Sequence, residues 1–202
     1  MHNINIEFWK KKSLSQYVHE ENGSLTLFAL FVLGVIAAML HLHLRLRGLN
    51  IPGHHGLELM TVLLFARMQS QYRWAGLMVA GGAATTFLLH ASYLPMGQTA
   101  KPAIFFLMNA FILDSLFRVI SDRLPVIVKG MVFGGISFII KPIIYIPIAI
   151  YLEVSFGSIT KHGYFLPILT HFTFGSIGAI CGITLANLLT HNKQNDKRRS
   201  IF

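Results

Sequence analysis

Charge is scarce in this chain. Only 12% of its 202 residues are Asp, Glu, Lys or Arg, about half the share of an ordinary soluble domain. Cysteine is nearly absent: Cys181 stands alone inside an apolar stretch, which excludes a disulfide framework and any CxxC metal or redox motif. There is no GxSxG, no HExxH and no phosphate-cradling glycine loop ending in Lys. Those absences remove the motif-defined hydrolases, zincins and nucleotidases, and the chain is read as a non-enzyme with no cofactor assigned. Its length leaves no room for a separate soluble domain beside a membrane bundle.

Apolar residues fill the space that charge leaves. They make up 53% of the chain, and mean hydropathy is +0.57. The net charge of +9 would suit a nucleic-acid partner, but the basic residues sit in short clusters between apolar runs, the pattern of membrane topology. The expected partner is membrane lipid, not nucleic acid. Residues 1–24 are polar and hold Lys10, Lys11 and Lys12 in a row. The apolar run after them exceeds the core of a cleavable signal, so it reads as a retained span. Segment 8–18 mixes aromatic and basic side chains and is either an interfacial helix or a loose polar tail.

A bilayer core takes about 20 apolar residues per helix. On that measure the chain is all-α, a bundle of about six transmembrane helices over residues 25–190, at 25–44, 56–68, 74–94, 102–120, 125–152 and 164–189, with a basic tail at 191–202. The second segment is short and carries Glu58 and Arg67. With six spans, one side collects Lys10, Lys11, Lys12, Arg67, Arg73, Arg118, Arg123, Lys129, Lys193, Lys197, Arg198 and Arg199. The other collects Arg45, Arg47, Lys101 and Lys161. The positive-inside rule then predicts both termini in the cytoplasm, at the inner membrane. Small residues mark helix contacts: Gly34 and Ala38 in span one, 80–84 in span three, Gly130 and Gly134 in span five, Gly175 to Gly182 in span six. They serve packing within the chain or a partner docked on span one or six.

Polar groups at membrane depth are costly and mark candidate sites. Lys141 lies past the middle of span five, beside Pro142 and ahead of Pro147. Both prolines lack an N–H and predict a kink. Lys141 either anchors an anionic ligand, pairs with Asp114 or Glu153, or snorkels to the interface. Asp114 and Arg118 are spaced to pair on one helix face, and Asn109 sits deeper in span four. The outer loop after span one carries His41, His43, Arg45, Arg47, His54, His55 and Glu58, and the outer side also holds His90, His162 and His171. Imidazoles with a carboxylate suit a transition metal; His54, His55, His90 and His162 are weak candidates, because no compact ligand spacing is present. The alternative is a polar lid that hydrogen-bonds a ligand or lipid headgroups. Lys141, Arg45 and Arg47 favour an anionic ligand, and Tyr145, Tyr151 and Tyr164 are placed to stack on a ring.

This arrangement resembles the substrate-binding S component of energy-coupling-factor (ECF) transporters, over about residues 25–190. The matching features are Ala29, Gly34, Ala37 and Ala38 in span one, Ile51-Pro52-Gly53 before a short second span, a Gly/Ala-rich stretch at 76–84, and the closing stretch 166–182. The resemblance implies a six-helix protein that captures a vitamin-like molecule or a metal ion near the outer face. Its ligand would lie between the loop after span one and the outer halves of spans four to six, where Lys141, Tyr145, His54, His55, Glu58, Asn109 and His171 are the candidates. Ala29, Gly34 and Ala38 would face a coupling subunit, with ATPases as separate chains. Met1-His2 matches the start of metal-specific members, yet a basic segment separates it here from the first span. Two other readings stand beside this one: a non-catalytic accessory subunit of a respiratory or metal-oxygenase complex, and a His-ligated membrane metalloenzyme.

Overall fold

The computed structural model describes residues 23–43, 52–91, 96–120, 124–152 and 163–199, with the backbone alone at 91, 96–101 and 192–199. Segment 8–18, Met1, His2, Arg45, Arg47, Glu153, Lys161 and His162 lie outside what is described. The described residues form six helices: α1 (Gly23–His43), α2 (His55–Gln69), α3 (Ala75–Ala91), α4 (Met96–Val119), α5 (Val126–Tyr151) and α6 (Phe165–Arg199). No strand occurs among them. Helix is what the composition demands, because hydrocarbon offers no partner for a bare peptide group and each helix satisfies its own.

The distribution of side chains is that of a protein dissolved in lipid. Leu25, Phe28, Leu89, Phe111, Ile127, Ile150 and Leu188 point outward and are exposed. The core is rich in alanine, with Ala38, Ala75, Ala80, Ala83, Ala110 and Ala179 wholly buried. Four helical stretches are long and apolar enough to cross a bilayer: Gly23–His43, Pro102–Val119, Val126–Tyr151 and Phe165–His191. With them, the all-helical chain is a membrane helical bundle.

Helices α2 and α3 are shorter, at 15 and 17 residues. Fifteen residues rise about 22 Å, against a hydrocarbon core of about 30 Å. Even so, α2 and the turn after it traverse the length of α1. Glu58 meets His41 at one end of α1, and the Tyr72 hydroxyl donates to the Gly23 carbonyl, 3.1 Å away, at the other. Inside the bundle Met60, Leu63 and Leu64 are fully buried, so α2 meets mostly protein and little lipid.

The helices pack as two groups of three. One joins α1, α3 and α4; the other joins α2, α6 and the first half of α5, with far lighter contact between the groups. Backbones touch within each group. A Cβ on Gly34 of α1 would collide with the Val79 carbonyl of α3, and one on Gly82 of α3 with the Phe31 carbonyl of α1. In the second group Gly134 and Gly175 lie carbonyl to backbone in the same way. Gly34 and Ala38 are therefore covered by α3 and the core within this chain, not presented to a partner as the family resemblance implied. Ala29 alone of the three is exposed.

Helix α5 is irregular. Residues Gly130–Ile136 wind as a π-helix against α6, and a regular helix resumes over Ile140–Tyr151. The junction is a turn at Ile139, just ahead of Lys141 and Pro142. Pro142 has no N–H for the Phe138 carbonyl, and its ring crowds that carbonyl. The interruption expected from the prolines thus falls upstream of them. Two boundaries also differ from expectation. Helix α4 begins at Met96, ahead of Pro102, and α6 runs unbroken to Arg199, so the basic stretch from 191 to 199 has a helical backbone.

The Gly34 contact makes a clean test. Gly34→Ala forces α1 from α3 and is expected to cost about 1–3 kcal/mol, the range for overpacking. Nothing lies within 4 Å of a Cβ at Gly81, so Gly81→Ala is expected to be neutral or slightly stabilising. Thermal unfolding of both variants in one detergent checks this; equal losses would contradict the α1–α3 packing.

Candidate functional site

One end of the bundle is closed by charge. The Asp114 carboxylate on α4 is fully buried. It accepts the backbone N–H of Gly76 at 3.2 Å and of Leu77 at 2.9 Å, which are first-turn donors of α3 with no partner in their own helix. Arg67 Nε lies 3.5 Å from the same carboxylate, and the guanidinium donates to the carbonyls of Ser70 and Tyr72 at 3.0 Å each. The expected Asp114–Arg118 pair does not form: Arg118 sits over the Trp74 ring, 3.8 Å from its centroid. Asp114 is thereby engaged by Arg67, which also excludes it as the partner of Lys141.

The other end is hollow. A cavity of about 300 Å³ lies there, lined from both helix groups. His41 of α1, Phe87 of α3, and Phe105, Phe106 and Asn109 of α4 come from one group; His55 and Leu59 of α2, Phe138 of α5 and His171 of α6 come from the other, and the second half of α5 adds Lys141 and Tyr145. Its size is at the lower bound for small-molecule sites, and its mostly apolar wall with a few polar groups fits their usual chemistry.

Helix periodicity sets the polar groups. Lys141 and Tyr145 are one turn apart on α5, and Phe105 and Asn109 one turn apart on α4, so each pair faces the same way. Tyr145 meets Phe105 edge-on, ring centroids 5.0 Å apart. The Lys141 ammonium lies 5.7 Å from the Phe105 centroid and 6.0 Å from that of Tyr145, at the outer range of a cation–π attraction. Among the described residues no carboxylate pairs with Lys141. Asn109 is 1% exposed, and its Oδ1 has no hydrogen-bond partner. A half-turn of that amide presents either a donor or an acceptor to the cavity.

His171 is fixed in place. Its Nδ1 donates to the Pro167 carbonyl at 2.7 Å, and its ring stacks on Phe138 at 5.1 Å. Gly53 lays the turn before α2 onto this histidine. Its φ is 81°, which disfavours any other residue, and a Cβ there would stand 2.8 Å from the His171 ring. His41 bonds Glu58 at 3.2 Å and meets the His55 ring edge-on at 4.6 Å. The His54 ring lies tilted against His55, at 3.8 Å between centroids.

Of the sequence candidates, Lys141, Tyr145, Asn109, His55 and His171 line this one cavity. Glu58 lines the neighbouring groove with His41, and His54 lies against His55. His90 falls in the last turn of α3 and is not part of the lining; His162 lies outside the described residues. No group of three or more His, Cys, Asp and Glu side chains is placed to hold a metal ion among the described residues. The aromatic wall of Phe87, Phe105, Phe106 and Phe138 was not anticipated. Its one trace in the sequence is the turn-spaced run from Phe105 and Phe106 to Asn109.

Compared with protein-family models, curated proteins and solved structures, the chain matches none. Fold and site define a class: a multi-pass helical membrane protein with a ligand-sized cavity across its two helix groups.

Asn109 offers a test without a ligand. An unsatisfied buried polar group costs about 1–3 kcal/mol. Asn109→Leu is therefore expected to raise the thermal stability of the ligand-free protein by about that amount. A fall in stability would mean that the amide is already satisfied within the bundle.

Proposed function

We propose that this chain is the solute-capture subunit of a membrane transporter, similar in kind to an ECF S component, and that it binds a small anionic ligand with an apolar body. One observation carries the reading: Lys141, with no described carboxylate to neutralise it, shares a cavity with the partnerless amide oxygen of Asn109. A charge at membrane depth lacking a counter-ion is costly. A ligand carboxylate supplies the counter-charge, Asn109 takes a second polar contact, and the phenylalanine wall with Tyr145 encloses the apolar part. His55 and His171 add ring nitrogens that can orient the ligand by hydrogen bonding.

The cavity belongs to the end of the bundle where α1 finishes and α2 begins. By the basic-residue count that end is the outer one, with both termini cytoplasmic. Capture from outside follows, and release requires other chains: a coupling subunit and ATPases, since this chain carries no nucleotide motif. The exposed Ala29 face of α1 remains available to such a partner, while Gly34 and Ala38 do not.

Two measurements check this. Native mass spectrometry of the protein in mild detergent, with benzoate as probe, is expected to show a Lys141-dependent adduct. Lys141→Met should weaken it about 10- to 100-fold, the equivalent of one charged hydrogen bond, with unchanged elution as a folded monodisperse species. Equal benzoate capture by the variant would remove Lys141 from the site. For orientation, a C-terminal green fluorescent protein fusion is expected to fluoresce and a C-terminal alkaline phosphatase fusion to be inactive; the reverse would invert the topology.

A further inference from the structure

A second space adjoins the cavity. It is a groove of about 280 Å³ between α1 and α2, walled by Ala37, Leu40, Leu57 and Val62, with Glu58 at its polar edge. Leu40 and Leu57 are 50% and 37% exposed on a surface that faces hydrocarbon. The groove lies on the seam between the two helix groups, where packing is light. It shares a wall with the cavity: His41, Leu59 and Phe106 line both.

We infer that the ligand is a single-chain carboxylate amphiphile, its head held by Lys141 and Asn109 and its alkyl tail running past Leu59 and Phe106 into the α1–α2 groove and so to the bilayer. The inference rests on the capture function proposed above and names its substrate class. Charge sorts the two ends. The cavity holds Lys141, whereas the groove holds Glu58, already bonded to His41 at 3.2 Å, so an anionic head is drawn inward and repelled from the groove. One lysine without an arginine fork in the described lining suits a monoanion better than a phosphate, which is usually met by several convergent donors. An apolar tail needs no partners beyond Leu40, Leu57 and Val62, and a membrane-dissolved substrate then approaches sideways.

The test uses the full chain in lipid nanodiscs and a ten-carbon carboxylic acid with a terminal diazirine. After illumination, peptide mapping is expected to place the label on Leu40, Leu57 and Val62. Excess decanoate should suppress it, and Lys141→Met should lower it at least tenfold. Val62→Trp, which fills the groove and spares the lysine, should abolish that labelling yet keep the benzoate adduct. Label spread evenly over lipid-facing Leu88, Leu89 and Leu188, unaffected by Lys141→Met, would overturn the inference, as would label confined to Phe105 and Phe138 in the cavity. If either appears while benzoate still binds through Lys141, the tail path alone fails. If benzoate binding is also independent of Lys141, the capture reading fails with it.

Discussion

A single buried carboxylate organises one end of this bundle. Asp114 meets the first N–H groups of α3 and the guanidinium of Arg67 together. In water those donors would find solvent; in hydrocarbon an unmet N–H costs several kcal/mol. Three helices are consequently tied at one point, α4 through Asp114 itself, α3 through its N-terminus and α2 through Arg67. The guanidinium extends the tie to the connecting turn through Ser70 and Tyr72 and lies 4.8 Å over the Phe117 ring. With one end pinned by charge, the opposite end has room to diverge, and the cavity forms there.

The two kinds of helix contact have different physical origins. Within a group, glycine and alanine let backbones approach, so dispersion contacts are dense, and a few polar ties such as Asp114 to α3 and Thr61 to Gly178 add to them. Between the groups at the open end the side chains are large rings and polar tips: Phe87, Phe105 and Phe106 on one side, Phe138, His55, Lys141 and His171 on the other. Rings of this size hold the groups apart. The turn at Ile139, caused by Pro142, directs Lys141 and Tyr145 into that gap.

Much of this was readable before any coordinates. All six apolar runs became helices, because length and hydropathy decide a span before packing does. The short second run is a helix as well, but at 15 residues α2 is not one of the four stretches long and apolar enough to cross a bilayer. The polar exceptions Lys141, Asn109, His55 and His171 pointed to one region because a charge or amide at membrane depth is conspicuous. The aromatic wall was hidden: phenylalanine is equally at home facing lipid, and only three-dimensional packing separates Phe106, buried, from Phe111, exposed. The partner of Asp114 was misplaced for a related reason. Spacing along one helix favoured Arg118, whereas Arg67, distant in sequence, arrives only through the tertiary fold. The faces of Gly34 and Ala38 were undetermined likewise, since small residues advertise close approach without naming the neighbour.

Helix α6 gives the molecule a lever. Its 35 residues extend about 52 Å, well beyond a hydrocarbon core of about 30 Å. His171, near one end, touches the cavity, and the far end lies some 40 Å away along an unbroken rod. A tilt of about five degrees about the cavity end displaces that far tip by about 4 Å, on the same rise per residue. A motion too small to notice around a ligand thus becomes, at the opposite surface, a displacement as large as an atom, with no intermediate joint to absorb it.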